Sequence, residues 1–160
     1  RRNLWSDEQT ARQYIREGLN LCDVAKLSDE ECTFLCGDGE IDALGHRLLA
    51  EHPNLKLLFV TCGAGGSYAF CGSRMAFVPG FSVKIADTTG AGDAFVGAVL
   101  YQILRRGGLR EAYSPAELEQ LLTFGNAVGA LSVQRYGAIP AIPTLAETES
   151  FLHAQGLLGA

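Results

Sequence analysis

Along the chain, stretches in which apolar residues recur every three or four positions alternate with short, continuous apolar runs. The first kind is the signature of amphipathic helices and the second of strands buried on both faces. Ser6 and Gln9 have the spacing of a capping box and predict a helix with Ala11, Tyr14, Ile15 and Leu19 on one face. Asp23 to Leu27 predicts a short strand. Ser28 and Glu31 form a second capping-box pattern, with Gly37 as the stop of the helix it opens. Ile41, Leu44, Leu48 and Leu49 predict another amphipathic helix, closed by His52-Pro53, and Leu57 to Thr61 a buried strand.

After a glycine-rich turn, Gly63-Ala64-Gly65-Gly66, the runs Tyr68–Cys71 and Met75–Val78 flank Gly72-Ser73 and predict a hairpin. Val83 to Ala86 reads as extended. A helix follows from about Ala91 to Arg106, stopped by Gly107-Gly108. Ser114-Pro115-Ala116-Glu117 starts the next, with a serine cap, proline at the first position and glutamate at the third; it runs to about Gln134. A proline-rich loop, Ile139 to Pro143, leads into a last helix at Thr144-Leu145-Ala146-Glu147. Strands alternating with helices predict a layered α/β fold with a mostly parallel sheet. No linker, internal repeat or low-complexity segment interrupts the pattern.

Composition narrows the class. At 160 residues, 48% hydrophobic and 19% charged, the chain suits one globular domain with a sizeable core. A net charge of −5, with no basic cluster beyond Arg105-Arg106, argues against nucleic acid or an anionic membrane as partner. The apolar runs are too short to span a bilayer, and no signal-peptide pattern opens the chain. Cys22, Cys32, Cys36, Cys62 and Cys71 match no zinc or disulfide spacing, so they read as reduced thiols, the usage of a cytosolic protein. His46, His52 and His153 fall on or beside expected surface helices and are assigned no chemistry. The chain opens Arg1-Arg2-Asn3-Leu4-Trp5, without an initiator methionine or a leading strand.

Candidate chemistry concentrates in Asp87-Thr88-Thr89-Gly90-Ala91-Gly92-Asp93. Small residues let backbone approach a ligand, and the segment runs straight into a helix, whose free amides and dipole suit a phosphate. An aspartate at that point can take a proton from an attacking hydroxyl. Taken alone, the turn is equally an aspartate favoured in a first helical turn. No G-x-x-x-x-G-K-[ST] occurs, and neither glycine loop completes G-x-G-x-x-G: the sixth position is Tyr68 counted from Gly63 and Phe95 counted from Gly90.

The run Asp87 to Phe95, continued by Val96-Gly97-Ala98-Val99-Leu100, resembles the C-terminal signature of the ribokinase-like, or PfkB, carbohydrate kinases. The similarity extends from Asn3-Leu4-Trp5 to Ala138-Ile139-Pro140 and the helix beyond. It implies a three-layer α/β/α ribokinase-like fold. Residues 1–160 would be the C-terminal, nucleotide-binding portion of a single kinase domain, without the N-terminal sugar contacts and the β-sheet lid that often makes the dimer. On that basis the 160-residue chain by itself is expected to be inactive.

The resemblance implies ATP-dependent phosphorylation of a sugar hydroxyl. Asp93 would be the base, and Gly90, Ala91, Gly92 and Asp93 the amides of an anion hole. Thr61, Gly63, Ala64, Gly65 and Gly66 correspond to the nucleotide loop, and Asn126 to an asparagine near the adenine. Ser28-Asp29-Glu30-Glu31 aligns with an Asn-x-x-Glu motif in which the glutamate, here Glu31, serves magnesium; Ser28 replaces the asparagine, and the capping-box reading competes with this one. Asp87 and Thr89, with carbonyls of Ser132, Arg135, Gly137 and Ala141, match the potassium site of some members, while Asp87 by itself reads as a turn-stabilising residue. Asn3-Leu4-Trp5 and Lys26–Glu31 are similar to bacterial fructokinases, so fructose is the leading acceptor. Ribose, ketodeoxygluconate and nucleosides stay open, as does a non-catalytic nucleotide-binding or structural role. A cytoplasmic homodimer is the implied form of the full-length protein.

Overall fold

A computed structural model describes residues 5–157; Asn3 and Leu4 of the resemblance lie outside the described residues. The described residues form six helices, α1 (Glu8–Leu19), α2 (Asp29–Cys36), α3 (Ile41–Glu51), α4 (Ala91–Arg105), α5 (Pro115–Ser132) and α6 (Leu145–Ala154). The strands are β1 (Val24–Ser28), β2 (Leu57–Thr61), β3 (Ser67–Cys71) and β4 (Arg74–Val78), and single 3₁₀ turns cover Gly63–Gly65 and Ile139–Ala141.

The strands form one sheet in the order β1-β2-β3-β4. Its polarity is mixed where a mostly parallel sheet was expected: β1 and β2 pair parallel, but β2–β3 and β3–β4 pair antiparallel. Connection length decides this. Only β1 and β2 are joined through helices long enough for a parallel crossover, whereas Cys62–Gly66 and Gly72-Ser73 are tight reversals that force antiparallel neighbours. The stretch Val83–Ala86 joins no strand.

Side-chain alternation along the strands splits the core into two halves. Leu57, Phe59, Ala69 and Cys71 face one side and pack with Phe95, Val99 and Ile103 of α4 and Leu118, Leu121 and Leu122 of α5. Leu58, Val60 and Phe70 face the other, against Cys32 and Leu35 of α2 and Leu44, Leu48 and Leu49 of α3. This is the expected three-layer α/β/α arrangement. A third cluster, including Ala98, Phe124 and Leu152, seats α6 on α4 and α5.

The caps at Ser28, Ser114 and Thr144 each accept from the amide three residues on, and the glutamate there returns to the cap amide. The first helix departs from expectation. Asp7, not Ser6, is its cap; Asp7 Oδ1 accepts the Thr10 amide at 2.8 Å. A carboxylate at a helix N-terminus gains from the dipole as well as the hydrogen bond, so it outcompetes the hydroxyl. Tyr14, expected on the buried face, is exposed and stacks on Trp5. His52, expected near the surface, is 3% exposed. Its Nδ1 meets Asn20 Oδ1 at 2.6 Å, and its Nε2 has no partner among the described residues. All five cysteines are free; Cys32 and Cys71 are buried and the others partly so. Among the described residues no helix is long and apolar enough to cross a membrane.

Candidate active site

The parallel strands β1 and β2 end at Ser28 and Thr61, paired in register, and their carboxyl ends open into a cleft of about 600 Å³. Open α/β sheets hold ligands at this end. Ser28 and Thr61 line the cleft, with Gly63, Ala64 and Gly66 from the β2–β3 turn. Thr88, Ala91 and Gly92 come from the signature segment and Asn126 from α5.

The signature segment enters α4 through Gly90, which has φ 79°. A side chain is disfavoured there twice over, by that left-handed backbone and because a Cβ would stand 2.9 Å from Ala138 Cβ. With glycine at the cap position, no side chain satisfies the first amides of α4. The Ala91 amide reaches Thr88 O at 3.3 Å and the Ala94 amide Gly90 O at 2.8 Å. The amides of Gly92 and Asp93 have no acceptor among the described residues. Two uncommitted donors at the positive end of a 15-residue helix make an anion-binding geometry. The Asp93 side chain is exposed in the first turn of α4 and accepts no hydrogen bond within the described residues, so its carboxylate lone pairs are free for a proton.

Asp87 is used differently. Its Oδ1 accepts the Thr89 amide at 2.9 Å, an Asx turn, and its Oδ2 accepts the Gly137 amide at 3.0 Å. The Gly137 amide first, then the Thr89 amide, holds this carboxyl below the usual aspartate range. The Ala86 and Asp87 amides both bond Val133 O. The segment after α5 is thereby held against the signature turn at Val133 and Gly137. The Arg135 side chain itself turns to Glu147. That guanidinium, with the Thr144 amide, pulls the Glu147 carboxyl down to about 2.

The capping box at Ser28 is real: Ser28 Oγ accepts the Glu31 amide at 3.1 Å and Glu31 Oε2 accepts the Ser28 amide at 2.7 Å. Glu31 therefore has one carboxylate oxygen committed and one free. Asp29 and Glu30 line the cleft, whereas Glu31 does not. Among the described residues no cluster of three or more histidine, cysteine or carboxylate side chains could hold a metal. A magnesium ion that keeps several waters needs only one or two carboxylates beside substrate phosphates, and Asp29 and Glu30 are the carboxylates on the cleft wall.

Asn126 lines the cleft with its carboxamide engaged in the protein. Ser67 Oγ donates to Asn126 Oδ1 at 2.7 Å, and Asn126 Nδ2 donates to Val78 O at 3.1 Å and Pro79 O at 3.3 Å. It braces β3 and the end of β4 against α5. Gly66, at φ 114°, would place a Cβ 2.2 Å from Val78 O, so the glycine loop also leans on this segment. Gly65, Gly90, Asp87, Thr89 and Asp93 do not line the cleft. Burial raises the Cys62 thiol beside the loop, leaving it protonated and unreactive at neutral pH.

Three parts of the cleft were not anticipated from the sequence. One is the segment after β4, where Gly80, Phe81, Ser82, Val83 and Ile85 form an irregular apolar wall. Another is the Gly129-Ala130 and Val133 face of α5; spacing of three, four and seven from Asn126 was the available signal. The third is Lys26 of β1, marked by a charge in the middle of an otherwise apolar strand.

Comparison with known proteins agrees with this fold. The family model described as pfkB family carbohydrate kinase matches residues 1–145. A probable fructokinase-5 of Arabidopsis thaliana is 39% identical over 153 residues, 95% of this chain and 46% of its own length. The chain thus spans about half the length of the curated relatives it matches. A crystal structure of fructokinase with bound ATP from Xylella fastidiosa superposes with a TM-score of 0.85 at 34% identity, covering 98% of this chain and 50% of that one. A Vibrio cholerae fructokinase structure with bound fructose, ADP and potassium superposes at 0.81, also at 34% identity, covering 95% and 47%. With a family match over nearly its whole length and this shared architecture, the chain belongs to the pfkB family of carbohydrate kinases.

Proposed function

We propose that this chain is the C-terminal, nucleotide-binding portion of an ATP-dependent sugar kinase, with fructose as the leading acceptor. The observation that carries the reading is the pairing, at the head of α4, of the uncommitted Gly92 and Asp93 amides with the free Asp93 carboxylate. The fructokinase relatives support the acceptor.

In the proposed reaction, Asp93 accepts the proton of the acceptor hydroxyl. The hydroxyl oxygen forms a bond to the γ-phosphorus as the bond from that phosphorus to the β–γ bridging oxygen breaks, and ADP leaves. Of the expected donors Gly90 to Asp93, the uncommitted Gly92 and Asp93 amides donate to the oxygens on which charge grows, and they need no reorganisation at that moment. Thr61, the Gly63–Gly66 loop and the Asn126 region cradle the nucleotide, next to Ser28. Magnesium, with Glu31 as its protein contact, would neutralise phosphate charge. A potassium ion at Asp87, Thr89 and the carbonyls of Ser132, Arg135, Gly137 and Ala141 would fix the signature turn. A cytoplasmic homodimer is the proposed form of the full-length protein.

The test is an ADP-release assay of the full-length protein against fructose, ribose, ketodeoxygluconate and a nucleoside. Fructose is expected to give the highest kcat/KM. Another preferred acceptor would move the substrate while keeping the kinase. ATP binding with no turnover on any acceptor would replace the kinase by a nucleotide-binding protein.

A further inference from the structure

Lys26 occupies a position that a core strand normally gives to an apolar side chain. Side chains alternate along β1: Ala25 and Leu27 pack into the core half beneath α2 and α3, and Val24 into the half beneath α4 and α5. Lys26 shares the face of Val24 and pairs in register with the fully buried Phe59. From there its stem runs to the cleft. A Cβ placed on Gly92 would stand 2.8 Å from Lys26 Nζ and 3.4 Å from Cε. The ammonium therefore rests against the Gly92 backbone, in room that exists because Gly92 has no side chain.

Lys26 is partly buried, and a lysine so placed normally has a carboxylate beside it to offset the hydration it loses. Every other ion pair among the described residues uses Arg12, Arg16, His46, Arg47, Lys56, Arg110 or Arg135. Lys26 has no ion pair or side-chain hydrogen bond among them, although Asp29 and Glu30 line the same cleft. Its charge lies beside two amide donors that also lack acceptors. All these groups are donors, so an anion in this corner would complete every one of them.

We propose that Lys26 is a catalytic residue of the phosphoryl transfer: its ammonium contacts the oxygens of the transferring phosphoryl group next to the Gly92 and Asp93 amides. The inference rests on the proposed kinase reading and adds a mobile point charge to a hole otherwise made of backbone. Amide donors are fixed dipoles, whereas a lysine on a four-carbon stem can follow the phosphorus as it moves from donor to acceptor. Positive charge in a partly dry cleft favours the transition state over the ground state where negative charge accumulates.

The test uses Lys26→Met, Lys26→Gln and Lys26→Arg in the full-length protein. For Lys26→Met, kcat with fructose and ATP is expected to fall about 10² to 10³-fold, the usual cost of removing one such donor. Lys26→Arg should recover part of that loss. Affinity for a non-hydrolysable ATP analogue should fall toward that for ADP, while ADP affinity holds, a pattern that a purely structural lysine would not produce. Melting temperature should hold or rise in the neutral variants, because an unpaired charge has been removed. A Lys26→Met enzyme within about threefold of wild-type kcat, or one that loses ADP and ATP-analogue affinity equally, would overturn the assignment. Should the wild type prove inactive on every acceptor, the kinase reading fails by itself, and the ADP-versus-analogue comparison still decides whether Lys26 meets the terminal phosphate.

Discussion

The carboxylate of Asp87 reaches across 50 positions of sequence to the Gly137 amide, 3.0 Å away, while its other oxygen closes the turn onto Thr89. One side chain thus holds the signature turn and the loop beyond α5 in a single arrangement. Gly90 packed on Ala138, and the Val133 carbonyl that takes the Ala86 and Asp87 amides, join the two further.

Asp87→Ala should free that loop. In the full-length protein, potassium is expected to raise activity over a bulky organic cation, and the variant should lose most of this response. Steady-state rates in the two cations decide it; equal wild-type rates would remove the cation site. Because the carboxyl is held low, it stays charged at neutral pH. The stabilisation is present above the unfolded aspartate value of about 4 and is lost as pH falls through the lower folded value. Neutral-pH titration should therefore leave the clasp intact.

Asp93→Asn should lower kcat by about 10² to 10⁴-fold, the usual contribution of a general base. Asparagine still sits in the first turn of α4 and leaves the amides in place, so nucleotide Kd and melting temperature should change little. Measuring all three on one variant separates chemistry from stability. A variant with near-normal kcat and a lowered melting temperature would make Asp93 a helix-start residue.

Asn126→Ala should act mainly on stability. It leaves the fully buried Ser67 hydroxyl and the Val78 and Pro79 carbonyls short of a partner. An orphaned buried group costs about 1 to 3 kcal/mol. Thermal unfolding should show the loss, and nucleotide Kd should weaken as the wall after β4 loosens. Unchanged stability with weakened binding would assign the carboxamide to the ligand instead.

His52 gives the fold a pH dependence of its own. Burial, and next the Arg16 charge, push its imidazole below the ordinary value. Protons then bind the unfolded chain better, so stability is full above the unfolded value of about 6.5 and declines as pH drops from there toward the folded value. Unfolding midpoints in denaturant between pH 8 and 5 should trace this slope, and His52→Gln should flatten it.

The elements whose signals are local were legible in the sequence. Ser28, Ser114 and Thr144 announce their helices because a capping box is complete within four residues, and Leu57–Thr61 carries its burial in its own composition. The signature turn was legible as a run of small residues between two aspartates. What escaped depends on partners far away in the chain. His52 lies at a helix end that looks exposed until Asn20 meets it. Lys26 looks like a lone charge until α4 brings Gly92 to its tip. The sheet's mixed polarity was implicit in the short reversals on either side of β3, although strand–helix alternation suggested a parallel sheet.

The backbones of the glycine loop and the segment after β4 interlock. A Cβ on Gly66 would strike Val78 O, and one on Gly80 would come within 2.4 Å of Ala64 O. The two loops therefore have a joint length, and an inserted residue in either one would pry the other off the sheet. Members of this lineage that gain or lose residues are expected to do so elsewhere. The Gly107-Gly108 bend after α4 is one such place, because a Cβ on either glycine meets nothing within 4 Å. In evolutionary terms this wall of the cleft is expected to be inherited as a block, with divergence in chain length left to the far end of the helices.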